Sequence, residues 1–418
     1  MYTPGFPRVL TSVLAVGLVS LFIVVALPFS ASASSTRSST PSYAAHADVS
    51  TSCPAPGTAR AAYTPSMTLG SHPTIVYIVN EGNSSKPTGT LKRYDVVTGG
   101  KVEIVKMPGT SMVSAQLSGN GQWLLFVSQT SGVSKLQLIR MDGQYLQTLY
   151  CGGINEVEST PNQHLVMFAV TANGTESLDL LNTTNGALQT ELAVPTSNEV
   201  ILHTWLDSTH IYLTNTQLDQ FPNIIYLLDI TKGPNQTLSD LKTVFHGHFV
   251  DFDSSYDAKY LYTAACICGQ GGDTGPGSIA VQPATGGQTQ TLYSSNAYAI
   301  TSVRAVLPNT LLFTIGNDGP IGSGDQSHNG LWKIHTDGTG LTRLTRDTAD
   351  QFIGFANFSQ FPWSNVSRDG SKYALGIISG NSSNTTYTLE YGSLNGGTPS
   401  VFASITNVQL SIVGWTTM

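Results

Sequence analysis

The chain has 418 residues, of which 11% are charged and 40% apolar, with a formal net charge of −7. An average globular protein carries about 25% charged residues, so this surface is built mostly from neutral polar groups. That balance excludes a basic face for nucleic acid and a polybasic patch for anionic lipid, and 41 Gly with 20 Pro exclude a collagen-like or disorder-like composition.

Val9–Leu27 reads VLTSVLAVGLVSLFIVVAL, without a charge, behind the single cation Arg8. Ala31 and Ala33 then fit a small-residue cleavage site. The run is also long enough to span a bilayer, so residues 1–33 are read as a cleaved signal peptide or an uncleaved membrane anchor. Either puts the remainder outside the cytoplasm. No Cys follows the run closely, which speaks against a lipoprotein. Residues 34–73 are rich in Ser, Thr, Ala and Pro and show no apolar period. They predict a flexible stalk with a reach of roughly 35 Å.

Four cysteines, Cys53, Cys151, Cys266 and Cys268, occur in a chain expected to be exported. They allow up to two disulfides. Cys53–Cys151 is the favoured pair, with Cys266 and Cys268 either bonded to each other or free. A thiolate metal site is disfavoured because no second close Cys pair completes four ligands.

From Thr74 onward no 3.6-residue apolar period persists. Short β-branched and aromatic runs recur instead: Thr74–Val79, Trp123–Ser128, Leu165–Val170, Ile211–Thr214, Tyr260–Ala264, Leu311–Ile315 and Tyr373–Ile378. Turn residues bound each run, which is the all-β pattern. One kind of turn reads Ser118-Gly-Asn120-Gly121, with cousins at Thr160–Asn162, Leu206–Asp207, Ser255–Asp257 and Ser367–Gly370. A second kind places a glycine at 99, 143, 186, 233, 286, 338 and 396. The spacing, on the order of 40–50 residues, leaves room for four strands per unit and predicts a β-propeller of seven four-stranded blades. The first unit lacks an innermost strand. The last stretch, Asn407–Trp415, is expected to supply it and close the ring, so residues 74–418 form one propeller domain.

The strings Ser118–Phe126, Ile334–Thr345 and Ser367–Tyr373 resemble the TolB-type, WD40-like propeller repeat, which runs Ser-Pro-Asp-Gly-Lys, strand, strand, Asp-Gly, Leu-Thr. The resemblance covers Thr74–Trp415. Most copies here lack the Pro or the Gly, and TolB itself has six blades. The resemblance implies a bacterial propeller, a class that serves in binding and is in some cases fused to a peptidase; no hydrolase domain is expected after Trp415.

With strands lettered A (inner) to D (outer), antiparallel parity puts A–B and C–D turns on one face and B–C and D–A loops on the other. The second face is expected to carry the long segments Asn80–Gly89, Cys268–Gly277, Gly316–Gly330 and Arg346–Phe358. Long loops in a compact domain are often functional. Hence that face is expected to bind a protein or glycan ligand, in an exported, non-enzymatic recognition or scaffold module, secreted or tethered through Val9–Leu27.

The alternative is a secreted hydrolase or lyase with a metal near the channel. His246, His248, Asp251 and Asp253 have ligand chemistry, and Asp318 and Asp325 sit on a Gly-rich segment that suits calcium. Neither set has a complete motif, so no cofactor is assigned. Gly322-Ser323-Gly324 lacks the strand–turn–helix of a nucleophile elbow. Glu158, Asp253 and Asp325 would have to come together from separate blades to act as a carboxylate pair. Trp123, Trp205, Trp332, Trp363 and Trp415 read as core, and the Asn-x-Ser/Thr matches, such as Asn83 and Asn182, are expected to be unmodified.

Overall fold

The computed structural model describes residues 52–418 apart from 173–174, 195–199, 216–222, 268–273, 317–326, 347–351, 355–363 and 382. Strands β1 (Pro73–Asn83), β2 (Lys86–Asp95) and β3 (Lys101–Pro108) begin the ring. β4 (Ser111–Leu117), β5 (Trp123–Thr130), β6 (Val133–Arg140) and β7 (Gln147–Gly152) make blade 2. β8 (Ile154–Ser159), β9 (Leu165–Ala172), β10 (Thr175–Asn182) and β11 (Leu188–Val194) make blade 3. β12 (Val200–Trp205), β13 (His210–Asn215), β14 (Ile224–Asp229) and β15 (Lys242–His246) make blade 4. β16 (Asp251–Ser254), β17 (Tyr260–Ile267), β18 (Thr274–Pro283) and β19 (Gln290–Ser295) make blade 5. β20 (Ile300–Leu307), β21 (Thr310–Ile315), β22 (Gly330–His335) and β23 (Thr342–Arg343) make blade 6. β24 (Phe352–Gly354), β25 (Lys372–Asn381), β26 (Asn384–Ser393) and β27 (Ser400–Thr406) make blade 7. β28 (Gln409–Thr417) returns to blade 1, where Ile75 faces Trp415 and Val79 faces Leu410. The seven blades and their closure by the last strand are as the repeat predicts.

Each of the seven apolar runs is the second strand of its blade. These strands are buried on both faces, as in β5, because a blade packs against a neighbour on either side. Seven apolar clusters follow, one astride each joint. Trp123, Phe168 and Val166 fill the joint between blades 2 and 3, and Tyr262, Phe313 and Val303 that between blades 5 and 6. Each large side chain so buried contributes roughly 1.5–3 kcal/mol.

The recurrent turn glycines have a conformational cause. All seven lie at positive φ, from +72° at Gly99 to +93° at Gly286, where a side chain is disfavoured. At Gly143 a Cβ would also sit 2.4 Å from the Ile104 carbonyl oxygen. A register shift recurs on the outer strand pair at Leu91/Lys92, Leu136/Gln137, Leu178/Asp179, Ile225/Tyr226, Ile279/Ala280 and Leu389/Glu390. Such bulges twist an outer edge and discourage edge-to-edge pairing.

Two expectations are corrected. Asn80–Gly89 is not a long loop: Asn80 pairs with Gly89 and Asn83 with Lys86, so β1 and β2 run on to a tight hairpin. The Asn83 carboxamide oxygen closes it by accepting from the backbone N–H groups of Ser85 and Lys86. These strands project past the core edge, where no apolar residue is needed, and polar composition therefore hid them. The second correction concerns residues 53–72, expected to be a free stalk. They form a strap laid on the ring. Ala61 N–H donates to the Thr183 carbonyl, and Ala62 exchanges two hydrogen bonds with the Gln147 side chain. Tyr63 packs edge-on against Trp123, and Ala59 is buried in the joint between blades 2 and 3. Further on, His72 and Met418 exchange backbone hydrogen bonds. A Ser/Thr/Ala/Pro composition without a period conceals such a strap because its few anchors are irregularly spaced.

Candidate functional site

The A–B/C–D face is not made of short turns alone, since it carries the connections from Asp229 to Lys242 and from Gly354 to Lys372, and the B–C/D–A face is uneven. B–C connections in blades 1, 2, 3 and 7 are tight, as between Thr130 and Val133 or Asn381 and Asn384. In blades 4, 5 and 6 they run from Asn215 to Ile224, Ile267 to Thr274 and Ile315 to Gly330. The D–A connection from Arg343 to Phe352 joins blade 6 to blade 7 in the same region. The strand ends that bound these long connections therefore belong to neighbouring blades and to one face.

The longest of these connections has a built foot. Arg343 donates to the carbonyls of Ser327, Asn329 and Thr345 and lies over the Trp332 ring. Trp332 donates its indole N–H to the His328 carbonyl at 2.9 Å. His328 stacks on Tyr298 with ring centroids 4.2 Å apart. These half-buried groups fix the Ser327–Asn329 end against the ring.

Inner strands pose a different problem. Their channel-side edges present backbone N–H groups that no further strand can pair, and each such group left buried and unpaired costs about 1–3 kcal/mol. Side chains of the preceding blade meet some of them. Gln116 Oε1 accepts from Ser159 N–H at 3.0 Å and from its hydroxyl at 2.9 Å. Glu156 Oε2 accepts from Leu202 N–H at 2.7 Å. Asp251 Oδ2 accepts from Val303 N–H and Asp253 Oδ2 from Ala305 N–H, each at 2.9 Å. Arg304 adds an ion pair of 2.5 Å to Asp251.

Burial governs the charge state of this belt. It pushes the Asp253 carboxyl up to about 7, against the pull of Arg304 and the Ala305 N–H. Burial also raises Asp251, opposed by Arg304, and raises Glu158 well above the carboxylate range, opposed by Gln116. His203, stacked on Phe252 at 3.6 Å, is held well below the usual imidazole range by burial and by the Arg304 cation.

The metal reading of the D–A loop is not favoured by this geometry. Asp251 and Asp253 point into the next blade and hold its backbone, whereas His246 and His248 are exposed and the His248 Nε2 lies 2.6 Å from the Cys266 carbonyl oxygen. Among the described residues no group of three or more His, Cys, Asp or Glu is placed to hold a metal. Asp318, Asp325 and Ser323 lie outside the described residues. Glu158, proposed with Asp253 and Asp325 as a carboxylate pair, is buried at the joint of blades 3 and 4, where Trp205 donates to its backbone carbonyl. Cys53 and Cys151 form a disulfide across 98 residues. Cys266 is likewise disulfide-bonded, and Cys268 is outside the described residues. Trp123, Trp205 and Trp415 are core as expected, Trp332 is half-buried, and Trp363 is not described. No helix among the described residues is long and apolar enough to cross a membrane, and Val9–Leu27 is outside them.

Sequence reading missed Gln116, Glu156, His203 and Arg304. The signal was present as polar residues at period two on otherwise apolar inner strands: Ser114-Ala-Gln116, Glu156-Val-Glu158 and Asp251-Phe-Asp253.

No family model matches the sequence, and no curated protein matches it. Among solved structures the chain is similar to the β-propeller domain of the Trilobed protease from Pyrococcus furiosus (TM-score 0.51, 11% identity, 80% of this chain and 93% of that one). It is similar to oligopeptidase B from Leishmania major (TM-score 0.50, 12% identity, 80% of this chain and 48% of that one), of which it spans about half the length. It is also similar to TolB from Acinetobacter baumannii (TM-score 0.43, 11% identity, 81% and 82%). At such identities likeness shows fold alone. The chain is a β-propeller with seven four-stranded blades. The Pyrococcus propeller is described as having an open velcro topology; here β28 pairs with β1 and the ring is sealed.

Proposed function

We propose that the chain is an exported, non-enzymatic recognition or scaffold module that binds a protein or glycan ligand through the B–C/D–A face, over blades 4 to 6. The observation that carries this reading is that the B–C connections of blades 4, 5 and 6 are long while those of blades 1, 2, 3 and 7 are tight hairpins. Loops of this length inside a compact domain are commonly functional, and a rigid propeller is a suitable platform for them. Export is supported by the Val9–Leu27 run and by the Cys53–Cys151 disulfide, which belongs to an oxidising compartment.

Two experiments test the reading. Residues 317–326 are replaced by an Asn-Gly pair, which keeps the Ser327–Asn329 foot, and binding is followed on arrays of glycans and purified envelope proteins. The replacement is expected to weaken capture at least tenfold and to shift Tm by less than about 2 °C; unchanged capture refutes the assignment to this sector. Cell fractionation with N-terminal sequencing tests export: a start at Ser34 identifies cleavage, an intact N-terminus in the membrane fraction identifies an anchor, and a cytoplasmic chain refutes both.

A further inference from the structure

We propose that the opposite face holds a second binding site, a groove between the A–B turns of blades 2 and 3 that takes a neutral, N-acetylated sugar. This does not depend on the loop-face reading. The groove is open to solvent, holds about 470 Å³ and is lined by Tyr63 and Ser66 of the strap, Asn120 and Gln122 of blade 2, and Asn162 and His164 of blade 3, with Pro161 beside them. Among the described residues no Asp, Glu, Lys or Arg lines it.

The turn chemistry singles out these two blades. Five turns of this kind use a side-chain oxygen to accept the backbone N–H two residues on. Asn120 accepts from Gln122, Asn162 from His164, Asp207 from Thr209, Asp257 from Lys259 and Asp369 from Ser371. Asp and Asn perform this task equally. An amide stands only at the two turns that border the groove, and what it adds is an Nδ2 donor. Gln122 repeats the arrangement, since its Oε1 accepts from the Met67 N–H. Tyr63 donates its hydroxyl to the Gln163 carbonyl at 2.7 Å. Acceptors are thus turned inward and pinned. Three uncharged donors, Asn120 Nδ2, Asn162 Nδ2 and Gln122 Nε2, are left to the groove.

Such a surface selects its ligand by elimination. A carboxylate or phosphate is normally met by Arg or Lys, and neither lines the groove. An extended peptide brings an N–H with every carbonyl along its length, more donors than the two side-chain acceptors of the groove, Ser66 and His164, can meet. A sugar hydroxyl accepts or donates as required, and an acetamido group brings one carbonyl for the amide donors and one N–H for the Ser66 hydroxyl or the His164 imidazole to accept. The apolar surfaces of Tyr63, Pro161 and His164 suit a pyranose face or an acetyl methyl. Because the inward hydrogen bonds already fix the side chains, little ordering entropy opposes binding.

The full chain is titrated with tri-N-acetylchitotriose by calorimetry and ligand-observed NMR. Asn120→Asp and Asn162→Asp retain the turn-capping oxygen and remove the donor. Each is expected to weaken binding about fivefold, and the pair about twentyfold, with Tm within about 2 °C of the parent. Cellotriose, with hydroxyls in place of acetamido groups, is expected to bind at least about tenfold more weakly. Replacing residues 317–326 with an Asn-Gly pair leaves this binding unchanged, so failure here and failure at the loop face are distinguishable. The proposal is overturned by no binding to the parent chain, by Asp variants that bind as tightly, by equal binding of cellotriose, or by an uncharged peptide that occupies the groove in place of the sugar.

Discussion

The joint between blades 2 and 3 and the joint between blades 5 and 6 solve one problem with different chemistry. Both must satisfy backbone N–H groups on an inner strand from the blade before. The first does it with the neutral amide of Gln116 and is covered by the strap, which the Cys53–Cys151 disulfide ties to the outer strand of blade 2. The second does it with the carboxylates of Asp251 and Asp253 and one buried guanidinium, Arg304. A neutral amide is inexpensive to bury and does not itself titrate, although here it stands beside the buried Glu158 carboxyl. Buried charges bring strong charge-assisted hydrogen bonds at a large desolvation cost, and they leave the joint dependent on each partner and on the proton.

The sharpest way to break the charged joint is Asp251→Ala. It leaves the Arg304 cation buried without its ion pair and Val303 N–H without its acceptor, and a loss of about 3–5 kcal/mol is expected in urea unfolding. A loss under about 1 kcal/mol would mean that water reaches the joint and that the two joints are energetically alike. The matching change on the other side is Cys53→Ser. A cross-link over 98 residues constrains the unfolded chain, and its removal is expected to cost about 2–4 kcal/mol and to make the strap the first site of proteolysis. If protease instead opens the ring at blades 4 to 6 first, the strap holds through its own contacts, such as Tyr63 on Trp123, and not through the clip.

How much of this was legible in sequence depends on whether a feature repeats. The seven turn glycines repeat because each blade needs a left-handed position at the same place, so blade number and closure by β28 could be read in advance. The strap and the inner-strand belt do not repeat. Gln116, Glu156 and Asp251 are different residues doing related work at different joints, and no single motif unites them. Asp251 and Asp253 drew notice as possible metal ligands because carboxylates beside histidines share that chemistry. Their direction, toward Val303 and Ala305 and away from His246 and His248, is set by strand pleat and blade packing. The Asn80–Gly89 hairpin was lost for the converse reason, since its pairing is real but lies beyond the apolar core that marks strands in sequence.

The mildest test separates the joints by proton. Asp253 has its carboxyl raised from 3.8 to about 7 by burial, against the opposing pull of Arg304 and the Ala305 N–H. A carboxyl with a raised folded pKa binds more protons in the folded state than in the unfolded state between those two values. Its contribution to stability is therefore fully present below about pH 4 and is lost as pH climbs through 7. Unfolding free energies from urea titrations at pH 5 to 7.5 are expected to fall by up to about 3 kcal/mol on account of this group. Asp253→Asn keeps an oxygen to accept from Ala305 and cannot ionise, so the difference between parent and variant isolates the effect. Gln116→Glu places a second carboxyl beside the buried Glu158 and is expected to add a slope of the same sign at the joint between blades 2 and 3. Parallel pH profiles for the parent and Asp253→Asn would show that the carboxyl is ionised throughout and that Arg304, not desolvation, dominates the joint between blades 5 and 6.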